Sequence, residues 1–144
     1  MKKQSYKNHI RFYTPHHFIF YPLLMILLVI SSYKIFTSSD WLIWLFITII
    51  FLFFGFLSLM LRQHYALVLQ NRIIKLELRY RYFSISGKRF EEIEQQFEDS
   101  QLFALRFATD NQLVGLIETT LTQKLSEKAI KKSIVNWKGD YERV

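Results

Sequence analysis

The sequence has no cysteine, and only four glycines and two prolines occur among its 144 residues. The lack of cysteine excludes disulfides, zinc–thiolate centres and thiol catalysis. So few, scattered glycines exclude phosphate-binding and dinucleotide-binding loops, because those motifs need several glycines close together. Hydrophobic residues make up 51% of the chain, which excludes a disordered polar protein. They are concentrated in the first half, whereas the second half is charged.

Two long stretches contain no charged residue. Residues 12–33 form a stretch of 22 residues, and residues 41–61 form one of 21. At a rise of about 1.5 Å per residue, either helix would cover the ~30 Å hydrocarbon core of a bilayer. We therefore expect an all-α membrane protein with spans at about residues 15–36 and 41–61. A secretory signal cleaved near Ser31 is the alternative, but the long basic start and the immediate second span favour a retained anchor.

The short connection between the spans predicts an antiparallel transmembrane hairpin over residues 15–61. Basic residues flank this hairpin, while its loop holds one lysine and one aspartate. The positive-inside rule then places both chain ends, including the basic N-terminus 1–14, in the cytoplasm. The flanking basic residues are Lys2, Lys3, Lys7 and Arg11 before the first span, and Arg62, Arg72, Lys75, Arg79 and Arg81 after the second.

Tyrosine, tryptophan and histidine side chains occur at the predicted membrane boundaries. There the apolar part of the ring can contact lipid while its polar group contacts water. Thr14-Pro15 is typical of a helix start, since proline at the first helical position loses no hydrogen bond. Pro22 predicts either a kink or a later start of the regular helix. The expected interface anchors are Tyr13, His16, His17 and Tyr65 on the inner side, and Tyr33, Trp41 and Trp44 on the outer side.

Residues 62–86 are predicted to continue the second span as a basic amphipathic stalk helix. Six apolar residues recur there at spacings of 3, 4, 3, 4 and 3, which is the period of a coiled-coil seam. The basic side chains beside them should face anionic lipid or a partner. Gly87 should end the helix, although Tyr82–Ser86 could instead be extended. The seam residues are Ala66, Leu69, Ile73, Leu76, Tyr80 and Phe83.

Residues 87–144 are predicted to form an acidic cytoplasmic tail, a small bundle of short helices. Ser100, Thr109 with Gln112, and Ser126 are the expected N-terminal caps, and Trp137 is expected on the last helix. A segment of about 55 residues has a marginal core of its own, so it should lean on the stalk, a second copy or another protein.

Two groups of residues could form a binding site. His16, His17 and His64 could meet at one depth in an antiparallel hairpin and bind haem or a metal ion. Arg79-Tyr80-Arg81-Tyr82 alternates guanidinium and aromatic groups as nucleic-acid-binding segments do, but the acidic tail would oppose a polyanion. No catalytic set is recognisable, so we expect no enzyme activity, no cofactor and no nucleic-acid partner.

Several short motifs are distributed along the chain: Asn8-His9, Tyr13-Thr14-Pro15-His16-His17-Phe18, Arg72-Ile73-Ile74-Lys75-Leu76-Glu77, Gly87-Lys88-Arg89-Phe90, Ala104-Leu105-Arg106-Phe107-Ala108, and Trp137, Asp140 and Arg143 near the end. Taken together they resemble a family of small bacterial two-span membrane proteins, a domain of unknown function. The resemblance implies a bacterial inner-membrane location and an intact N-terminus. It supplies no catalytic residues.

These observations favour a non-enzymatic, membrane-anchored interaction or accessory subunit. Its partners would be anionic lipids and another membrane protein or a second copy of itself. The alternatives are a small haem- or metal-binding membrane component and a sensor of anionic lipid surfaces. The tail surface expected to meet a partner comprises Arg106, Phe107, Trp137, Asp140 and Arg143.

Overall fold

The computed structural model describes residues 4–9 and 12–141. All regular elements in these ranges are helical, as expected, and their one extended pairing is a bridge between Ala108 and Trp137. Lys2, Lys3, Arg11 and Arg143 lie outside the described residues. The helices are α1 (Tyr21–Thr37), α2 (Trp41–Met60), α3 (Leu67–Ser86), α4 (Glu91–Glu94), α5 (Asp99–Leu105), α6 (Asp110–Gln123) and α7 (Glu127–Ser133), with π-helical segments at Pro15–Phe20 and Leu61–Ala66.

The described residues divide into two compact units. Residues 12–68 form one, here called the two-helix unit, and residues 4–9 with 69–141 form the other, here called the tail unit. The N-terminal segment therefore folds with the C-terminal half of the chain.

Two helical stretches are long and apolar enough to cross a membrane, namely Pro15–Thr37 and Trp41–Ser86. Only 11% and 6% of their most apolar windows are buried inside the protein. The core helix of a soluble protein would be mostly buried, whereas a helix that is apolar on all sides and exposed needs apolar surroundings. Both stretches are thus candidate membrane spans.

Small residues let α1 and α2 pack closely against each other. A methyl group at Gly55 would lie 3.3 Å from Cδ2 of Leu24, so the start of α1 meets the end of α2 in an antiparallel pair. Ser31 and Thr48 are also buried. Their hydroxyls donate to backbone carbonyls within their own helices, at Leu28 and Trp44, which leaves no polar group of these side chains unmatched.

The regular part of the first helix begins just before Pro22. Residues Pro15–Phe20 wind as a π-helix, and α1 starts at Tyr21 with the proline in its first turn. The helical stretch is continuous from Pro15 to Thr37, so Pro22 lies inside it, at the change from π-helical to regular winding. The expectation of a kink at Pro22 stays a prediction.

The core of the tail unit is built from α3 to α7 and includes side chains of the stalk itself. Leu78 and Tyr82 of α3 join a cluster with Phe90 and Phe97, and α5 packs against α6 and α7. Of the three supports expected for the tail, the stalk is the one that the structure shows. The remaining buried members of the cluster are Leu102, Ala104, Leu105, Phe107, Ala108, Leu113, Leu116, Ile117, Ile130 and Ile134.

Two predicted caps of the tail helices are confirmed in position and one is wrong. Glu98, not Ser100, caps α5, and its amide donates to Oε1 of Gln101 at 2.8 Å in a reciprocal capping box. Thr109 is the N-cap of α6 as expected, but Gln112 makes no capping box with it, because the side-chain amide of Gln112 is hydrogen-bonded to the backbone of Ser133 and Val135. Ser126 caps α7 as expected, accepting from the amide of Ala129.

Gly87 ends α3 as predicted. Its φ is +69°, in the left-handed region, and its amide donates to the carbonyl of Phe83 at 2.9 Å. Tyr82–Ser86 is helical, so the extended alternative is wrong. Glycine alone adopts this backbone conformation without a steric penalty, which explains why the stalk stops here.

Replacement of Gly87 by alanine should therefore destabilise the tail unit by about 1 kcal/mol, the cost of a Cβ in a left-handed conformation. No neighbouring atom would meet that Cβ, so the penalty is conformational. Urea unfolding of the full chain in detergent, followed by circular dichroism, measures it. The matched control is Gly115→Ala in the exposed interior of α6, which should stabilise by about 0.5–1 kcal/mol. Equal effects of the two substitutions would contradict the explanation.

Candidate functional site

One face of α3 is covered by the tail. Ile74, Leu78, Arg81 and Tyr82 are all buried there. Their spacing of four, three and one residues places them on one side of the helix. This face belongs to the core and is not open to a partner.

Arg81 is the polar centre of that face. Its Nε donates to Oδ1 of Asp110 at 2.8 Å, and its Nη1 and Nη2 donate to the carbonyls of Arg106 and Ala108 at 3.0 and 2.5 Å. The planar guanidinium thus satisfies three acceptors that lie 25 to 29 residues away in the chain. The prediction that Arg81 faces lipid or a partner is wrong, because its side chain is only 6% exposed.

Two further basic residues of the stalk also pair within the tail unit. Arg79 makes a two-pronged contact with Glu94, at 2.7 Å and 3.1 Å. This hydrogen bond raises the pKa of the Arg79 guanidinium, which lies well beyond the apolar run 41–61. Lys75 pairs with Asp99 at 2.7 Å. The acidic stretch 91–99 therefore binds the basic side of the stalk, while Arg72 is exposed and makes no ion pair among the described residues.

The predicted seam lies on the opposite face of α3 and is open. Leu69, Ile73, Leu76, Tyr80 and Phe83 are all more than half exposed, and Tyr80 is the most exposed at 71%. Ala66, the first member of the seam in the sequence, lies in the π-helical segment of the two-helix unit and is half-buried. Four turns of helix therefore carry a regular apolar stripe that the described part of the chain does not cover.

The predicted partner surface of the tail is largely internal. Phe107 is 1% exposed, and Arg106 is buried with its guanidinium 4.6 Å above the Phe107 ring and 3.4 Å from Asp140. Arg106 and Phe107 were therefore wrongly expected on the surface. Trp137 and Asp140 are half-buried, and Arg143 lies outside the described residues. Trp137 is not on α7 but forms the bridge with Ala108.

The N-terminal segment 4–9 packs on this same region. Gln4 is buried, and its Oε1 accepts from the amide of Asp140 at 2.8 Å. The His9 ring lies against Trp137 and Phe107, with ring centroids 5.7 and 6.1 Å away. The sequence contains no periodic signal for this contact, because a short non-helical segment of mixed polarity has no repeating pattern.

A cleft of about 470 Å³ opens in the two-helix unit, beside both π-helical segments. Nε2 of His16 lies 3.5 Å from Oγ of Ser58 at its wall, and Nδ1 of His17 lies 3.1 Å from the carbonyl of Tyr13. Sequence reasoning identified several of these residues as interface anchors but did not foresee a cavity. The lining residues are Tyr13, His16, His17, Phe20, Phe54, Leu57, Ser58, Leu61, Arg62 and Ala66.

His64 does not join His16 and His17. It is exposed and does not line the cleft, and no group of three or more metal-ligating side chains occurs among the described residues. The proposed three-histidine haem or metal site is therefore not assembled in this part of the chain.

The remaining predicted anchors lie at the ends of the two apolar helices. Tyr33 and Trp41 are exposed beside the loop between α1 and α2, with Trp44 half-buried one turn later. Tyr13 and Tyr65 are exposed at the opposite ends of the antiparallel pair. Their role as membrane-interface anchors stays a prediction.

A family model matches the chain over its whole length, residues 1–144, and describes a family of unknown function, DUF6526. The chain belongs to this family. The expectation of a domain of unknown function is thereby confirmed. No curated protein and no solved structure matches the chain. The function of this DUF6526 chain has to be argued from its own surfaces.

Arg81→Met should destabilise the tail unit of the DUF6526 chain by about 3 kcal/mol, because the buried carbonyls of Arg106 and Ala108 lose a charged donor. Arg81→Lys should restore only part of this loss, since an ammonium lacks the planar fork. Urea unfolding of the full chain in detergent gives both values.

The control for these two variants is Arg72→Met, an exposed arginine on the same helix, which should change stability by less than about 0.5 kcal/mol. A similar loss in the Arg72 and Arg81 variants would show that the buried contacts of Arg81 are not what holds the tail on α3.

Proposed function

We propose that this protein is a non-enzymatic, membrane-anchored interaction subunit that acts through the open seam of its stalk. The observation that carries the proposal is the arrangement of α3: one face is filled by the tail, and the opposite face exposes a regular apolar stripe. Exposed contiguous apolar surface of this kind is typical of an interaction site.

The anchoring part of the proposal is a two-span hairpin in the bacterial inner membrane with both termini in the cytoplasm. It is supported by two apolar, largely exposed helices that pack antiparallel. A second support is the hydrogen bond between Gln4 and Asp140. Residues that touch must lie on one side of a membrane, and an even number of spans between them satisfies this condition. The basic flanks favour the cytoplasmic side.

The occupant that best fits the seam is a second copy of this chain. A spacing of alternately three and four residues matches the 3.5-residue period at which two identical helices interlock along their whole contact. A single helix surface with this period is self-complementary under a twofold axis. Another membrane protein with the same periodicity is the competing outcome.

Charges beside the seam favour a parallel pair. With Ile73 and Tyr80 at the a positions and Leu76 at d, Arg72 occupies a g position and Glu77 the following e position. A parallel pair places each Arg72 opposite Glu77 of the other copy, while an antiparallel pair brings basic g positions together. Nζ of Lys138 donates to Oε1 of Glu77 at 2.7 Å. The other carboxylate oxygen of Glu77, Oε2, can then accept from Arg72 of the second copy.

The topology can be tested directly, because the natural chain has no cysteine to interfere. We expect Ser39→Cys, in the exposed loop between α1 and α2, to react with a membrane-impermeant maleimide in bacterial cells whose outer membrane alone has been permeabilised. Val135→Cys, which replaces a side chain that is 82% exposed in the tail unit, should react only after the inner membrane is opened. Labelling of Val135→Cys before that step would refute a cytoplasmic tail.

Pairing through the seam predicts that Leu76→Cys forms a disulfide-linked dimer when membranes are oxidised, because d positions of parallel helices face each other. The matched control is Glu118→Cys on the exposed side of α6, which should stay monomeric. Addition of Ile73→Asp to the Leu76→Cys chain should abolish the cross-link, since it places two carboxylates inside the seam.

The two outcomes that oppose self-pairing are distinguishable. Equal cross-linking of Leu76→Cys and Glu118→Cys would indicate random collision. Cross-linking of Leu76→Cys to a different protein would show that the seam is occupied by a foreign partner.

A further inference from the structure

We infer that the cleft of the two-helix unit binds a single amphiphile with an anionic head and an acyl chain. The inference rests on the proposed membrane location of this unit, which would supply such molecules at the mouth of the cleft. It concerns residues 13–66 alone and does not depend on pairing through the seam.

The apolar part of the cleft is shaped for hydrocarbon. Phe20, Phe54, Leu57 and Leu61 line it, so rings and branched side chains supply most of the wall. The lining residues on α2 and the following π-helical segment extend from Phe54 to Ala66, about 18 Å at the helical rise. That length accommodates a headgroup and a substantial part of one chain. The volume of about 470 Å³ is typical of a small-molecule site.

The polar part of the cleft is basic and contains no carboxylate. Arg62 lines it and forms no ion pair among the described residues. His16, His17, Tyr13 and Ser58 add ring nitrogens and hydroxyl groups beside it. A guanidinium beside several hydrogen-bonding side chains and without an acidic neighbour favours phosphate or carboxylate over a zwitterionic or cationic group.

The backbone winding beside the cleft is also unusual. Part of each wall is π-helical, at Pro15–Phe20 and Leu61–Ala66, while Phe54, Leu57 and Ser58 of the wall lie on the regular helix α2. Short π-helical turns are frequently found at functional sites. Two of them beside one cleft are therefore consistent with a binding site at this end of the helix pair.

The test uses the full chain purified in a mild non-ionic detergent and native mass spectrometry after incubation with a defined probe. The probes are phosphatidylglycerol, phosphatidylcholine and palmitate, each at equal concentration. We expect retained phosphatidylglycerol or palmitate at a level at least fivefold above phosphatidylcholine. The comparison of the two anionic probes distinguishes a phospholipid ligand from a free fatty acid.

Three variants locate the binding. Arg62→Gln should reduce retention of the anionic probe about fivefold, the effect of one basic side chain near a headgroup. Ser58→Leu should abolish it by filling the cleft without a change of charge. Arg89→Gln removes an exposed arginine of the tail unit, outside both the cleft and the seam, and should leave retention within twofold. A thermal melt of each variant in the same detergent confirms that the helices remain folded.

Equal retention of all three probes would overturn the inference, and so would equal losses in the Arg62 and Arg89 variants, which indicate general surface attraction. Failure of Ser58→Leu to reduce retention in a folded protein would also overturn it. These results are independent of the maleimide experiment, so a wrong topology and a wrong ligand site would be recognised separately.

Discussion

The three hydrogen bonds of Arg81 determine which side of α3 the tail covers, and the other properties of the tail unit follow from that choice. The guanidinium ties the stalk to Asp110 and to two carbonyls of the segment between α5 and α6. Leu78 and Tyr82 are then drawn into the core, and Arg79 and Lys75 reach the acidic residues of the chain that follows the stalk. The seam residues lie on the opposite side of α3 from Arg81. When the tail covers the Arg81 side, the seam therefore stays exposed.

Structural features that depend only on neighbouring residues could be predicted from the sequence. The two apolar runs predicted both long helices, Gly87 predicted the end of the stalk, and Ser126 predicted a cap. Each of these depends on neighbouring residues along one segment. Gln112, Arg81 and Phe107 were misjudged for the opposite reason, since their partners lie more than 20 residues away or in a core whose shape no local pattern encodes. Glu98 was missed because glutamate is a less common cap than the serine two residues later.

The candidate site also has one part that neighbouring residues predict and one part that depends on distant contacts. The spacing of Leu69 to Phe83 identified an apolar stripe, and the structure shows it exposed, but the sequence could not reveal that a different face of the same helix would be filled. The cleft was unpredictable for a related reason. Its walls come from two segments that meet only after the helices fold back, and no local pattern in the sequence encodes that meeting.

The contact of Gln4 and His9 with residues 107, 137 and 140 has a consequence for biosynthesis. Residues 4–9 are translated about 130 residues before Trp137 and Asp140, which form part of the surface they bind. At about 5–20 residues per second, roughly 7 to 27 seconds separate the two events. During that interval the segment 4–9 has no complete surface to bind, because Trp137 and Asp140 have not yet been translated. The tail unit is therefore completed by a late contact between two segments that lie far apart in the chain.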